Sequence, residues 1–199
     1  MDAGQRMTIG IFGGAFNPPH MGHLIVAEAV GEQLHLDKVI FVVSADPPHR
    51  RDVGRATAEA RFTMTKLAVR GNTRFDLSDM EIQRPGKSYT VDTVLGFEAL
   101  HPRARLFLLI GSDNLAEFHT WRSPREIIAR CELVAFTRPG FPMDGIKNEF
   151  VRSAQVLTAP IVGISASDIR RRVKTGRSIR YMVPEAVEDY IVKKGLYRE

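Results

Sequence analysis

The chain holds a single cysteine, Cys131, among 199 residues. That excludes an internal disulfide framework and a cysteine-rich zinc site. Long apolar runs are missing too. The longest stretches, such as residues 39–43 (VIFVV) and 106–110 (LFLLI), fall far short of the roughly 18 residues a membrane span needs. There is no internal repeat and no low-complexity segment. Residues 1–6 contain no apolar signal segment, so a reduced cytoplasm is the expected setting. No H-E-x-x-H occurs, and no catalytic serine, cysteine or paired-carboxylate motif is evident. What is present is ordinary: 44% hydrophobic and 26% charged residues, near the average for globular domains and unlike disordered or fibrous chains. The length fits one domain of 1–199, with an α/β core over 7–163 and helices over 164–199.

Net charge is +5, which favours anionic partners: nucleic acid, acidic membrane or phosphorylated small molecules. Charge alone does not choose among them. Along the chain, strand-like and helix-like segments alternate. Residues 7–12 (MTIGIF) read as a strand that stops at Gly13-Gly14. Residues 38–43, 106–110, 133–136 and, weakly, 155–158 read as further strands, and 75–83 as holding a short one. Helices are expected over 56–69, 90–100, 167–174 and 184–194. Another follows the first strand, where Leu24, Ala27, Val30 and Leu34 recur at helical spacing. Pro184 near its start and Gly195 at its stop frame the last helix. Continuous apolar strands alternating with helices predict a Rossmann-like, doubly wound, mostly parallel sheet. Helices cover both faces, with a small C-terminal helical extension.

Such sheets bind ligands at the carboxyl ends of strands, near the reversal of strand order. The polar motifs fall there. Gly13-Gly14-Ala15-Phe16-Asn17-Pro18-Pro19-His20-Met21-Gly22-His23 joins the first strand to the first helix. Its helix start offers unpaired N–H groups and a positive dipole end, which suit phosphate. His20 and His23, three apart, share one side of the first turn. The dinucleotide fingerprint fails here because Ala15 stands where a second glycine belongs. The ATPase phosphate loop fails at Gly86-Lys87 because Glu81 stands where its first glycine belongs. A second helix start, Gly163-Ile164-Ser165-Ala166-Ser167-Asp168-Ile169-Arg170, has capping-box spacing between Ser165 and Asp168. Arg170, on its first turn, is the candidate phosphate contact. Arg171, Arg172, Lys174 and Arg177 fan around the helix as solvated surface. Pro47-Pro48-His49-Arg50 follows the second strand and Gly111-Ser112-Asp113 the third. Ser88-Tyr89-Thr90 opens a helix, with a plain N-cap as the bland reading. The only tryptophan sits among polar neighbours in Thr120-Trp121-Arg122, a rim position where its face could stack on a cationic ring.

Taken together, G-G-A-F-N-P-P-H-M-G-H and I-S-A-S-D-I-R resemble the bacterial nicotinate-nucleotide adenylyltransferases of the H-x-G-H nucleotidyltransferase superfamily. P-P-H-R, S-Y-T, G-S-D-N-L, T-W-R, T-R-P-G at 137–140 and the closing V-P-E-A-V-E-D-Y-I…G-L-Y reinforce the resemblance, in order from residue 9 to residue 197. It implies transfer of AMP from ATP to nicotinate mononucleotide in NAD synthesis, with magnesium carried on the ATP phosphates and no metal site of the protein's own. It implies that Gly14, Ala15, Phe16, His20, His23, Gly111, Asp113, Ile164, Ser165, Ser167 and Arg170 bind ATP, with His20, His23 and Arg170 catalytic. It implies that Asn17, His49, Arg50, Tyr89, Thr90, Trp121 and Arg122 hold nicotinate mononucleotide. Asn17 stands where many relatives have aspartate, Ala166 where I-S-S-T has a second serine, and Arg122 where an aromatic is sometimes found. Asp46 is acidic beside an expected anion site, which the sequence leaves unexplained. The partners implied are ATP and nicotinate mononucleotide, with neither nucleic acid nor membrane; a homo-oligomer is compatible. The alternatives are a phosphopantetheine-type H-x-G-H transferase and, from another class, a basic nucleic-acid-binding module.

Overall fold

The computed structural model describes residues 6–46, 56–138 and 140–198. Six strands form one sheet: β1 (Thr8–Gly14), β2 (Lys38–Val43), β3 (Phe75–Ser78), β4 (Arg105–Gly111), β5 (Glu132–Phe136) and β6 (Ala154–Leu157). Their order is β3-β2-β1-β4-β5-β6, and every neighbouring pair is parallel. The chain builds outward from β1 to β3, then returns to lay β4 beside β1. The reversal of strand order therefore falls between β1 and β4, where sheets of this kind bind ligands.

Alternation along the strands explains why both faces are covered. Ile9 and Ile11 of β1, Ile40 and Val42 of β2, and Leu106, Leu108 and Ile110 of β4 share one buried cluster. They pack with Val91, Val94 and Phe97 of α4 (Thr90–Leu100) and Ile127 of α6 (Pro124–Arg130). The intervening Val39, Phe41, Val43, Phe107 and Leu109 join Ala27 and Val30 of α1 (Met21–Gln33) on the other face. That is the two-residue period of a strand. A third cluster joins Met64 and Ala68 of α2 (Ala58–Val69) to Ile169 of α7 (Ala166–Lys174) and to Val187 and Ile191 of α8 (Glu185–Lys194). The C-terminal helices are thus packed against α2. No helix among the described residues is long and apolar enough to cross a membrane.

The expected strands and long helices form close to their expected bounds. Two differences bear on the site. β1 does not stop before its glycines: Gly13 and Gly14 pair with Val42 and Val43 of β2, so the ladder carries the turn to the sheet's rim. Short helices α3 (Met80–Gln83), α5 (Ser112–Glu117) and α6, and 3-10 turns at Phe118–Thr120, Met143–Gly145 and Glu149–Ser153, were not expected. They are too short to show a helical repeat.

Candidate active site

Phe16 anchors the turn after β1. It adopts the left-handed region (φ 45°) and is buried. Its ring meets Phe12, Phe41 and His23 at centroid distances of 5.8, 5.5 and 5.1 Å. A β-carbon on Gly14 would lie 2.9 Å from that ring, so the turn needs glycine there. His20 then caps α1 in extended conformation, and its N–H donates to His23 Nδ1 at 3.2 Å. The two imidazoles stack at 3.7 Å and 28°. A β-carbon on Gly22 would stand 3.1 Å from His20 Nδ1. In H-x-G-H, the three-residue spacing brings the rings together and the glycine leaves room for them.

His20 is only 4% exposed. Burial, and secondarily the charge of Arg138, push its imidazole down to about 3. His20 is therefore neutral at pH 7 and offers a hydrogen-bonding ring rather than a positive charge. Its Nδ1 is buried without a partner among the described residues. The unfolded chain takes up this proton near pH 6.5 and the folded chain only near 3, so His20 stabilises the fold above pH 6.5 and this contribution fades as pH falls. Between about pH 7.5 and about pH 5.5 the parent should lose about 1.4 kcal/mol more stability than H20N. Urea unfolding at the two pH values checks this; equal losses would mean a solvated His20.

The second helix start lies against the same turn. Ser165 caps α7, its Oγ accepting the Asp168 N–H at 3.1 Å. The reciprocal half of the expected capping box is absent: the Asp168 carboxylate pairs with Arg171 and, at 3.3 Å, with Arg172. The surrounding guanidiniums, chiefly Arg171, hold that carboxyl below its usual range. Arg172 also donates to Ser178 O at 3.0 Å; it is half-buried and tied, rather than the solvated side chain expected. Arg170 reaches back and donates to Asn17 O at 2.8 Å. Ser167 Oγ lies 3.1 Å from Ser165 Oγ, and Ile164 packs against the α2–α7–α8 cluster. Asn17, expected to face the second substrate, is 2% exposed. Its Oδ1 accepts the Ala56 N–H at 3.2 Å and the Tyr197 hydroxyl at 2.8 Å.

At the end of β4, Gly111 caps α5. Asp113 Oδ2 accepts Arg138 Nη1 at 2.7 Å, while Oδ1 is buried and unpartnered among the described residues. A β-carbon on Gly111 would collide with Arg138 Cδ, so glycine lets the arginine lie across. Ser112 Oγ donates to Phe141 O and accepts the Arg138 N–H, fixing the segment after β5. The Arg122 guanidinium sits over the Tyr89 ring, 4.7 Å from its centroid. Trp121 is half-buried against Phe118 at 5.1 Å. Tyr89 caps α4 and Thr90 is its first residue. Ser88 does not cap α4: its Oγ accepts the N–H groups of Ala45 and Asp46 at 3.1 and 3.3 Å. Asp46 pairs with Lys87 at 2.7 Å, which accounts for an acidic residue there. Pro47, Pro48, His49, Arg50 and Pro139 lie outside the described residues.

A family model described as cytidylyltransferase-like matches residues 11–172. A protein of Thermus thermophilus, described as a probable nicotinate-nucleotide adenylyltransferase, is 48% identical over 192 residues, covering 96% of this chain and 100% of its own length. The chain belongs to the nicotinate-nucleotide adenylyltransferase family. A relative of the same description from Salinibacter ruber is 42% identical, covering 96% of this chain and 98% of its own. A solved structure of Plasmodium falciparum nicotinic acid mononucleotide adenylyltransferase, complexed with NaAD, superposes with a TM-score of 0.79. At 19% identity it covers 96% of this chain and 98% of that one, and it bears on the fold.

Sequence reasoning missed Arg61. Only 1% exposed, it donates to Ala15 O at 2.8 Å, Ser44 O at 2.6 Å, Ala45 O at 3.2 Å and Ala56 O at 3.2 Å. One guanidinium fork thus ties the turn after β1 to the segment after β2. Its only sequence signal is a charged residue among the inward positions of α2. Hollows of about 430 Å³ also lie between α7 and α8, lined by Lys174, Arg177 and Ile191, and between α1 and β3, lined by Leu24, Glu28 and Phe75. Neither contains a residue of the signature turn.

Proposed function

We propose that this chain transfers the adenylyl group of ATP to nicotinate mononucleotide, by direct in-line attack of the acceptor phosphate on the α-phosphorus. A bond forms between an acceptor phosphate oxygen and the α-phosphorus. The bond from that phosphorus to its bridging oxygen breaks, and pyrophosphate leaves with the electron pair, giving deamido-NAD. The observation that carries this reading is the junction at the strand-order reversal: stacked His20 and His23 at the mouth of α1, tied through Asn17 to Arg170 at the mouth of α7.

The acceptor phosphate, with a second pKa near 6, is mostly dianionic at pH 7. It needs no general base. The difficulty is holding two anions in line and stabilising charge on the leaving group, which positioning and electrostatics supply. In this reading Arg170 brings positive charge, the helix starts bring N–H groups, and the histidines bring hydrogen bonds to the ATP phosphates. Asp113 takes the ribose, exchanging its bond with Arg138 for one to a hydroxyl. Tyr89, Thr90, Trp121 and Arg122 shape the pyridine side, with Asn17 holding the turn from below. Magnesium would be carried on ATP, where it would offset the charge of the phosphates. Among the described residues there is no group of three or more His, Cys, Asp or Glu side chains placed for a metal ion.

The decisive experiment measures pyrophosphate release from ATP with nicotinate mononucleotide, nicotinamide mononucleotide or phosphopantetheine as acceptor. Nicotinate mononucleotide should give the highest kcat/KM. Preference for phosphopantetheine, or no release with any acceptor, would overturn the reading. Trp121→Ala should raise KM for the pyridine nucleotide about tenfold, the worth of one stacked cationic ring, and leave KM for ATP nearly unchanged. An unchanged pyridine KM would make Trp121 a packing residue only.

A further inference from the structure

The geometry points to Tyr197 as a positioning residue: from the far end of the chain, its hydroxyl holds Asn17, and through it the turn that presents His20 and His23. This rests on the adenylyl-transfer reading for what the turn does, though the contact itself does not depend on that reading. Between Asn17 and His20 the chain runs through Pro18 and Pro19, which have no backbone N–H to donate. The segment therefore relies on bonds delivered to Asn17. Three donors converge there: the Ala56 N–H and the Tyr197 hydroxyl on Oδ1, and Arg170 Nη1 on the main-chain oxygen. Two of the three come from the C-terminal segment, as does the Met182 carbonyl that accepts the Met21 N–H at 2.9 Å. The C-terminal elements thus brace the turn on both sides of the histidine that caps α1.

The tail is shaped to deliver that hydroxyl. Gly195 ends α8 in the left-handed region (φ 61°), and the Leu196 N–H closes back on Ile191 O at 3.1 Å. Tyr197 then adopts φ 64°, a region a tyrosine enters at a cost. The ring packs against the α2–α7–α8 cluster, and a phenylalanine would fill that place as well. What tyrosine adds is the bond to Asn17 at 2.8 Å, beside a long contact to Met64 Sδ at 4.0 Å. Burial pushes its phenol up, against the opposing charges of Arg170 and Arg61, so it remains a donor at every working pH. The Oδ1 atom already accepts the Ala56 N–H. The second donor therefore fixes the orientation of the carboxamide more than it satisfies an oxygen.

Tyr197→Phe, which removes one oxygen atom, tests this with two measurements. Steady-state kinetics should show kcat lowered about tenfold, as expected of a small misplacement of reacting groups, with KM for nicotinate mononucleotide within about twofold. In an Asn17→Ala background the same change should have no further effect, because the hydroxyl acts only through Asn17. Amide hydrogen exchange should speed up about tenfold over residues 16–23 and stay unchanged over β4. If the parent is inactive but exchange at 16–23 rises, the strut stands and the adenylyl-transfer reading falls. If the parent is active and Y197F matches it in both kcat and exchange, the strut falls and the reaction stands. Equal fold-losses in kcat with and without Asn17 would also overturn the inference, reducing Tyr197 to packing.

Discussion

His23→Ala should lower turnover by about 10²–10³, the usual consequence of losing one preorganised donor to a developing charge. The expectation follows from which nitrogen is already engaged. His23 Nδ1 accepts the His20 N–H, so in the neutral ring the proton sits on Nε2, which makes that nitrogen the ring's donor. The stack on His20 and the edge contact with Phe16 hold the ring, so little reorganisation is needed when charge moves to the leaving pyrophosphate. The loss should appear mainly in kcat. An interaction that strengthens only in the transition state leaves KM for ATP nearly unchanged. Turnover within about threefold of the parent would remove His23 from the mechanism. A rise in KM alone would make it a ground-state ATP ligand.

The parts of this site legible in the sequence are those whose residues are neighbours along the chain. Gly13 to His23 and Ile164 to Arg170 each join a turn to a helix start, and short-range spacing describes both. The parallel sheet was legible because β1, β2 and β4 are continuous apolar runs between helical patterns. Interactions made across the chain were not. Arg61 meets Ala15 over 46 positions, Arg138 meets Asp113 over 25, and Tyr197 meets Asn17 over 180. Such pairs are set by which loops the topology brings to one rim, and a single sequence does not carry that information. The charge state of His20 was hidden for a related reason. It depends on burial and on Arg138, neither of which spacing reveals. His49 and Arg50, read from the same linear pattern, lie outside the described residues, so their part rests on the motif.

Arg61→Met should destabilise the fold by about 3–5 kcal/mol, in the range reached only when a buried polar network is broken. Methionine replaces much of the apolar stem but none of the donors. The carbonyls of Ala15, Ser44, Ala45 and Ala56 would then each lose a charge-assisted bond. A stranded buried acceptor costs about 1–3 kcal/mol. Ala15, Ser44 and Ala45 are only half-buried, so water can recover part of the loss, which is why the total stays below the sum. Arg61→Lys should recover a minority of it: the charge returns, but a single ammonium cannot present the flat fork that meets four carbonyls at once. Urea unfolding at neutral pH measures both variants, and a loss below about 1 kcal/mol for R61M would mean that the loops are held without the guanidinium. The same substitution should lower kcat in the fraction that remains folded. Ala15 lies inside the signature turn, and Ala45 is bound by Ser88, the residue before Tyr89. One side chain therefore sets the spacing between the turn that carries the histidines and the helix start that carries Tyr89 and Thr90.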